Sequence, residues 1–185
     1  PCLYDLNTYL KFAIRSLESN ESFEFHRQLL ELYVQIYPLE DQIIPARFCC
    51  DNGFSINAMH HAAKALVCCS LEGSPHDAYE ASEIIGASLY DLGYIMEAYR
   101  FLKVAVSSPN PTPQAYLTLG CACIENRLFD EAVSYLTQGA ALDRYNDRFY
   151  FNLALAYIEL LQYREAEETL RAGLEIARAP YDLGV

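Results

Sequence analysis

Cysteine and histidine side chains are the groups in this sequence best suited to chemistry, through metal binding or nucleophilic attack. The seven cysteines fall as Cys2, Cys49-Cys50, Cys68-Cys69 and Cys121-x-Cys123, an odd number without a CxxC pair. His61 and Cys68 are seven residues apart, so on a helix they would share one face and could hold a metal ion. Small buried apolar side chains are the simpler interpretation, and no metal ligand is predicted. Free thiols in this number favour a reducing compartment, hence a cytoplasmic location.

Catalytic motifs are absent from the sequence. It contains no GxSxG, no P-loop and no HExxH. Carboxylates do cluster near the C-terminal end, at Glu159, Glu165, Glu167 and Glu168. A solvated helix face explains this cluster better than a pair of acid and base catalysts. The sequence therefore predicts neither an enzyme nor a cofactor.

Composition narrows the class of partner. The 185 residues are 52% hydrophobic and 21% charged, which is typical of a globular protein. The net charge of −12 disfavours nucleic acid and anionic membrane surfaces, because both repel an acidic protein. No apolar run approaches the ~18 residues that a membrane span needs, so membrane insertion is not expected. The remaining partners are other proteins.

A pattern of 34 residues organises the second half of the chain. When Pro113–Asn146 is set over Asp147–Pro180, ten of 34 positions are identical. The identical positions are mostly apolar or small: Tyr116/Tyr150, Leu119/Leu153, Ala122/Ala156, Ile124/Ile158, Glu125/Glu159, Glu131/Glu165, Ala132/Ala166, Leu136/Leu170, Gly139/Gly173 and Arg144/Arg178. Their spacing follows a helical period, and a less regular third copy lies at Tyr79–Thr112. The pattern predicts repeated pairs of helices.

Each signature residue has a physical role in such a pair. Gly120 lies where the second helix must come close, since a side chain there would push that helix away. Ala132 and Gly139 are seven residues apart on one face of the second helix, where small side chains admit the next repeat. Thr112 is suited to cap a helix that has Pro113 in its first position. These residues predict three closely packed hairpins.

The spacing and the signature residues resemble those of the tetratricopeptide repeat (TPR) family. This resemblance implies an all-α fold, a right-handed superhelix of antiparallel helix pairs, here with an N-terminal helical extension. We expect three repeats within 76–180, at 79–112, 113–146 and 147–180, followed by a frayed tail at 181–185.

Residues 1–75 are predicted to be helical without the 34-residue signature. Apolar stripes indicate helices at about residues 3–18 and 21–37, and Ser55 precedes a further stripe. Asp51-Asn52-Gly53 is a turn signal, and Glu72–Pro75 reads as a linker. This region is either a set of degenerate repeats or a capping bundle. A homodimer or a hetero-complex formed through its helices is compatible with the sequence.

The TPR resemblance also implies a concave groove lined by the first helix of each repeat. The groove residues that we infer are Ile84, Tyr90, Gln114, Leu117, Thr118, Cys121, Ile124, Arg148, Phe151, Asn152, Leu155 and Ile158. Most are apolar, which predicts a site for an extended apolar segment of a protein partner. The basic clamp by which co-chaperone adaptors of this family hold an acidic peptide is absent, since only Arg148 and Asn152 fit it.

A second resemblance concerns residues 89–170. The runs Leu89–Tyr94, Tyr116–Cys123, Phe129–Tyr135, Gln138–Asp143 and Asp147–Phe151 look like the class II chaperones of bacterial type III secretion. These cytoplasmic three-repeat proteins hold a short segment of hydrophobic translocators in their groove. Asn152-Leu153-Ala154 departs from their pattern, and residues 1–75 have no counterpart in that family.

The sequence therefore predicts a non-enzymatic protein-interaction module that binds an apolar segment in its groove, with a chaperone-like role in type III secretion as one hypothesis. The alternative is a structural TPR subunit of a fixed complex, whose groove is permanently filled.

Overall fold

The computed structural model describes residues 43–72 and 75–178, and their regular structure is helical throughout. The helices are α1 (Ile43–Asp51), α2 (Ser55–Glu72), α3 (Pro75–Asp91), α4 (Ile95–Ala105), α5 (Pro113–Glu125), α6 (Phe129–Leu142), α7 (Asp147–Glu159) and α8 (Tyr163–Arg178). The helices predicted at 3–18 and 21–37 and the tail 181–185 lie outside the described residues. The chain divides into two compact units between Leu92 and Gly93. The domain boundary predicted near residue 75 stays a prediction.

The first unit contains α1, α2 and α3, and each of these helices contacts the other two. Alanines of α2 are buried at helical spacing, at Ala58, Ala62 and Ala65. Small side chains on this face let the neighbouring helices approach closely. The unit is also linked at its surface, where the Ser55 hydroxyl donates to Asp91 Oδ2 over 3.2 Å.

The second unit contains α4 to α8, in which each helix contacts the next along the chain and α5 also contacts α7. Its largest fully buried side chains include Phe101 on α4, Leu119 on α5, Leu136 on α6 and Phe149 on α7. These side chains come from four successive helices, so the core runs continuously through the unit.

Side-chain caps fix where the first helices of the two regular repeats begin. Thr112 has an extended backbone, and its hydroxyl accepts from the backbone N–H of Ala115 at 3.0 Å, ahead of Pro113. This confirms the predicted cap. Asn146 plays the same part for α7, accepting from the N–H of Arg148 at 3.2 Å. Each cap satisfies an N–H group that the first turn leaves unpaired.

Glycines permit the closest helix crossings of the second unit, as the sequence predicted. A Cβ at Gly120 would overlap the Leu136 side chain, so α6 can lie against α5 only because that Cβ is missing. A Cβ at Gly139 would lie 2.8 Å from the Cβ of Tyr116 and would also overlap the ring of Phe149. Gly139 therefore admits both α5 and the following α7.

The same backbone turn follows α1, α3, α5 and α7. Counted from the last residue of the helix, the third residue of the turn has a positive φ. The values are 74° at Gly53, 82° at Gly93, and 61° at both Arg127 and Leu161. In three of these turns the next N–H bonds a carbonyl five residues back, from Phe54 to Cys49, Leu128 to Cys123 and Gln162 to Tyr157, over 2.8 to 2.9 Å. This is the Schellman type of helix ending. The turn at Asp51-Asn52-Gly53 is as predicted.

The α1–α2 hairpin carries this turn although it lacks the repeat signature. It differs in length from a regular repeat, since α2 has 18 residues where α6 has 14 and α8 has 16. The extra residues move Gly53 out of the 34-residue register that relates Gly93, Arg127 and Leu161. A comparison of residues 34 positions apart therefore does not detect the α1–α2 hairpin, although its turn has the geometry of the repeats.

We predict that the turns store local strain where the third residue is not glycine. Leu161→Gly should raise the free energy of unfolding by up to about 1 kcal/mol, because an L residue pays about that much in the left-handed region. Gly93→Ala should lower it by about 1 kcal/mol for the same reason, since a Cβ there meets nothing within 4 Å. Urea unfolding followed by circular dichroism measures both changes. Leu161→Ala, which keeps the backbone strain, should be neutral; a gain equal to that of Leu161→Gly would contradict the explanation.

We also predict that Ala132 is a packing-limited position. Its side chain is fully buried on α6. Ala132→Leu should lower the free energy of unfolding by about 1–3 kcal/mol through overpacking. Ala141→Leu is the matched control, because Ala141 lies exposed on the same helix. A thermal melt unchanged by Ala132→Leu would show that α6 is packed less tightly than this register requires.

Candidate functional site

The part of the predicted groove that belongs to the first unit lies on α3. Ile84 is fully buried and Tyr90 is half-buried, so Ile84 is a core side chain and offers no surface to a peptide. Two carboxylates of the same helix, Glu80 and Glu83, contact Arg47 of α1. The Arg47 guanidinium lies 3.0 Å from Glu80 Oε1 and 3.2 Å from Glu83 Oε1.

Arg47 pairs with both carboxylates of this acidic face from within the unit. Glu83 is only 6% exposed, and a carboxylate with so little contact with water needs a cationic partner. Because Arg47 bonds both carboxylates, α1 covers this part of α3. Arg47 was not predicted from the sequence, because α1 lies outside the 34-residue pattern.

In the second unit the α5 side of the predicted groove is largely covered. Leu117 is 1% exposed and belongs to the core, while Cys121 and Ile124 are half-buried. Thr118 is nearly buried, and Gln114 alone among these positions is exposed. The structure therefore places Leu117 among packed side chains, where the sequence suggested an open groove wall.

The polar groove residues already bond their own helices. Gln114 Nε2 donates to Thr118 Oγ1 at 3.2 Å, and the Thr118 hydroxyl donates to the Gln114 carbonyl at 3.0 Å. Asn152 Nδ2 donates to the Arg148 carbonyl at 2.8 Å. A partner backbone would meet amide groups that each already use one of their two N–H donors in this way.

The α7 side, in contrast, presents an exposed apolar stripe. Phe151 is 64% exposed, Leu155 36% and Ile158 41%. They follow one another at spacings of four and three residues, so they form one row on the helix. We call these three residues the α7 stripe. It is the exposed apolar surface among the predicted groove positions.

Opposite charges flank the α7 stripe. Arg148 lies one turn before it and Glu159 directly after it, and both residues are exposed. Eleven residues are about three helical turns, so these two side chains leave the helix on nearly the same side as the stripe. The face thus carries a cation at one end, three apolar side chains, and an anion at the other end.

Burial keeps two of the described thiols protonated. Cys123 is fully buried, and burial raises the pKa of its thiol to about 12. Burial also raises the pKa of the Cys50 thiol. Thiols that stay protonated are poor nucleophiles and poor metal ligands, which supports their assignment as small packed side chains. Among the side chains that the structure describes, no group of three or more His, Cys, Asp or Glu could hold a metal ion. The Cys68 side chain lies outside the described residues.

Sequence reasoning also missed the exposed leucines of α8. Leu170 is 37% exposed although its repeat equivalent, Leu136, is fully buried, and Leu174 is 51% exposed. The signal was the position of α8: in the part of the chain that the structure describes, no helix follows it. A side chain of α8 that a following repeat would cover is therefore exposed to solvent.

Among the described residues, no helix is both long and apolar enough to cross a membrane.

Comparison with known proteins identifies the repeat. Residues 124–181 match a family model described as tetratricopeptide repeat. The structure is similar to a crystal structure of MamA, with 18% identity over 84% of this chain and 88% of that one, at a TM-score of 0.65. It is also similar to residues 41–end of MamA from Desulfovibrio magneticus RS-1, with 17% identity, coverage of 95% and 97%, and a TM-score of 0.64.

A further similar structure is TTC0263, a thermophilic TPR protein of Thermus thermophilus, with 18% identity, coverage of 96% and 94%, and a TM-score of 0.58. No curated protein matches the sequence. These matches give no support to the resemblance to type III secretion chaperones. At identities below 20% they show the fold, which agrees with the repeat pattern and the helical hairpins. The chain has the all-α fold of tetratricopeptide repeat proteins.

Proposed function

We propose that this protein is a non-enzymatic interaction module that binds an apolar segment of a partner protein on the first-helix face of the repeat at 147–180. The observation that carries the proposal is the α7 stripe, in which Phe151, Leu155 and Ile158 are exposed side by side. A row of large apolar side chains in contact with water costs free energy, and a partner that covers the row recovers it.

The site is smaller than the groove predicted from the sequence. Ile84 and Leu117 are buried, and Arg47 pairs with the acidic residues of α3. The α7 stripe, Arg148, Asn152 and Glu159 remain as the principal contact residues, with Gln114 at the exposed edge of α5. Covering two or three apolar anchors contributes about 1.5–3 kcal/mol each before the cost of ordering the partner. Their sum, at most about 9 kcal/mol, limits an isolated segment to micromolar affinity or weaker once that cost is subtracted.

Two further hypotheses concern the biological setting. A chaperone role in type III secretion depends on the sequence resemblance alone. A structural subunit of a fixed complex would use the same stripe, with the partner permanently bound. The identity and stoichiometry of the bound protein separate them, because a chaperone releases its client and a structural subunit keeps its neighbour.

We predict that Phe151→Glu removes partner binding and leaves the fold intact. The glutamate would place a charge in the middle of the apolar contact, while the exposed position tolerates it in the free protein. The measurement is affinity capture from the native cell with quantitative mass spectrometry, together with circular dichroism and a thermal melt of the purified variant. Leu155→Glu should behave in the same way.

Leu174→Glu is the matched control, since it places the same charge on an exposed leucine of α8 away from the α7 stripe. Proteins captured by the wild type should be retained by this control and lost from Phe151→Glu. Equal capture by all three proteins would refute the proposed site. Leu117→Glu, in contrast, should unfold the second unit, because Leu117 is buried.

A further inference from the structure

We propose that the segment bound by the α7 stripe is an amphipathic α-helix that lies parallel to α7, with an acidic first turn facing Arg148 and a basic last turn facing Glu159. This inference rests on the proposed function and specifies its partner. It replaces the extended segment expected from the sequence.

The first argument comes from the equivalent positions of the two regular repeats. Leu117, Cys121 and Ile124 of α5 occupy the same repeat positions as the α7 stripe. On α5 these side chains are buried or half-buried, and α5 has the first helix of the following repeat, α7, packed beside it. On α7 they are exposed, and in residues 43–72 and 75–178 no following repeat is present. The equivalent surface of α5 therefore belongs to a helix that has a neighbouring first helix beside it, whereas the surface on α7 is exposed.

The direction of the partner follows from the same packing. Tyr116 near the start of α5 and Phe149 near the start of α7 both lie against Gly139, near the end of α6. Therefore α5 and α7 run in the same direction, with α6 antiparallel between them. A helix that continues this arrangement on α7 runs parallel to α7.

The second argument is charge. A parallel partner brings its first turn to Arg148 and its last turn to Glu159, which lie at the start and end of α7. Acidic residues in a first turn and basic residues in a last turn also suit the dipole of the partner helix itself. The α7 stripe is about 10 Å long, which matches apolar residues at positions i, i+4 and i+7 of a second helix.

The test uses a fluorescein-labelled designed peptide of 16 residues and the full chain. The peptide has Glu in its first turn, Leu at positions spaced by four and then three, Arg in its last turn, and a lactam bridge on its polar face. Fluorescence anisotropy measures its Kd. In the unbridged peptide, Pro in place of a residue of the polar face should weaken binding at least tenfold relative to the unbridged parent. The reason is that proline disrupts a helix interior and spares an extended chain.

A charge exchange tests orientation. A peptide with Arg first and Glu last should bind the wild type about fivefold more weakly, and the double variant Arg148→Glu, Glu159→Lys should reverse this preference. Phe151→Glu should lose the bridged peptide, and Leu174→Glu should keep it. A reversed charge preference on the wild type would overturn the parallel orientation.

Other outcomes separate this inference from the proposed function. Equal binding of the proline peptide, with loss on Phe151→Glu, would overturn the helix and leave the apolar site standing. Absence of binding by the bridged peptide at 1 mM would overturn the inference, whereas unchanged cellular capture by Phe151→Glu would overturn the proposed function. A wild-type dimer in sedimentation that Phe151→Glu dissociates would assign the stripe to a second copy and overturn the partner helix.

Discussion

A helical hairpin can cover only part of its own apolar surface, and this constraint shapes the second unit. The hairpin of α5 and α6 leaves Gly139 open to the ring of Phe149, and α7 fills that place. Each repeat therefore depends on the next one for part of its burial. The last described repeat has no such neighbour, so Leu170 is partly exposed where Leu136 is fully buried. Exposure at that end follows from the architecture and needs no unusual residues.

The sequence predicted the periodic features of the fold well, because they depend on local chemistry. Thr112 caps a helix through its own hydroxyl, and Gly120 and Gly139 mark the crossings where a Cβ cannot fit. Residue type indicated only two of the four described turns with a positive φ. Glycine at positions 53 and 93 signals a positive φ, whereas Arg127 and Leu161 adopt the same φ without any sign in their residue type. The backbone bonds that close each helix end, from Leu128 N–H to Cys123 and from Gln162 N–H to Tyr157, go with this conformation there.

The candidate site was less predictable, because a repeat position does not determine its neighbours. Leu117 and Phe151 occupy the same position in two repeats, yet one is 1% and the other 64% exposed. Arg47 illustrates a second difficulty. It pairs with Glu80 and Glu83 from a helix outside the 34-residue register, so no periodic argument connects it with them. Sequence periodicity gives the candidate positions, and the packing decides which of them can bind.

At the proposed binding face of α7, selectivity would depend on the charges more than on the apolar residues. Phe151, Leu155 and Ile158 attract any apolar surface, since hydrophobic burial has no direction. The chain carries a net charge of −12, which favours approach by basic partners in general. Arg148 works against this general preference at one end of the face, while Glu159 reinforces it at the other. A partner that is basic throughout would meet repulsion at Arg148, whereas a partner with separated charges would not. In the proposed complex, Arg148 and Glu159 therefore favour partners by the order of charges along the bound segment. The net charge of the protein cannot distinguish partners in this way.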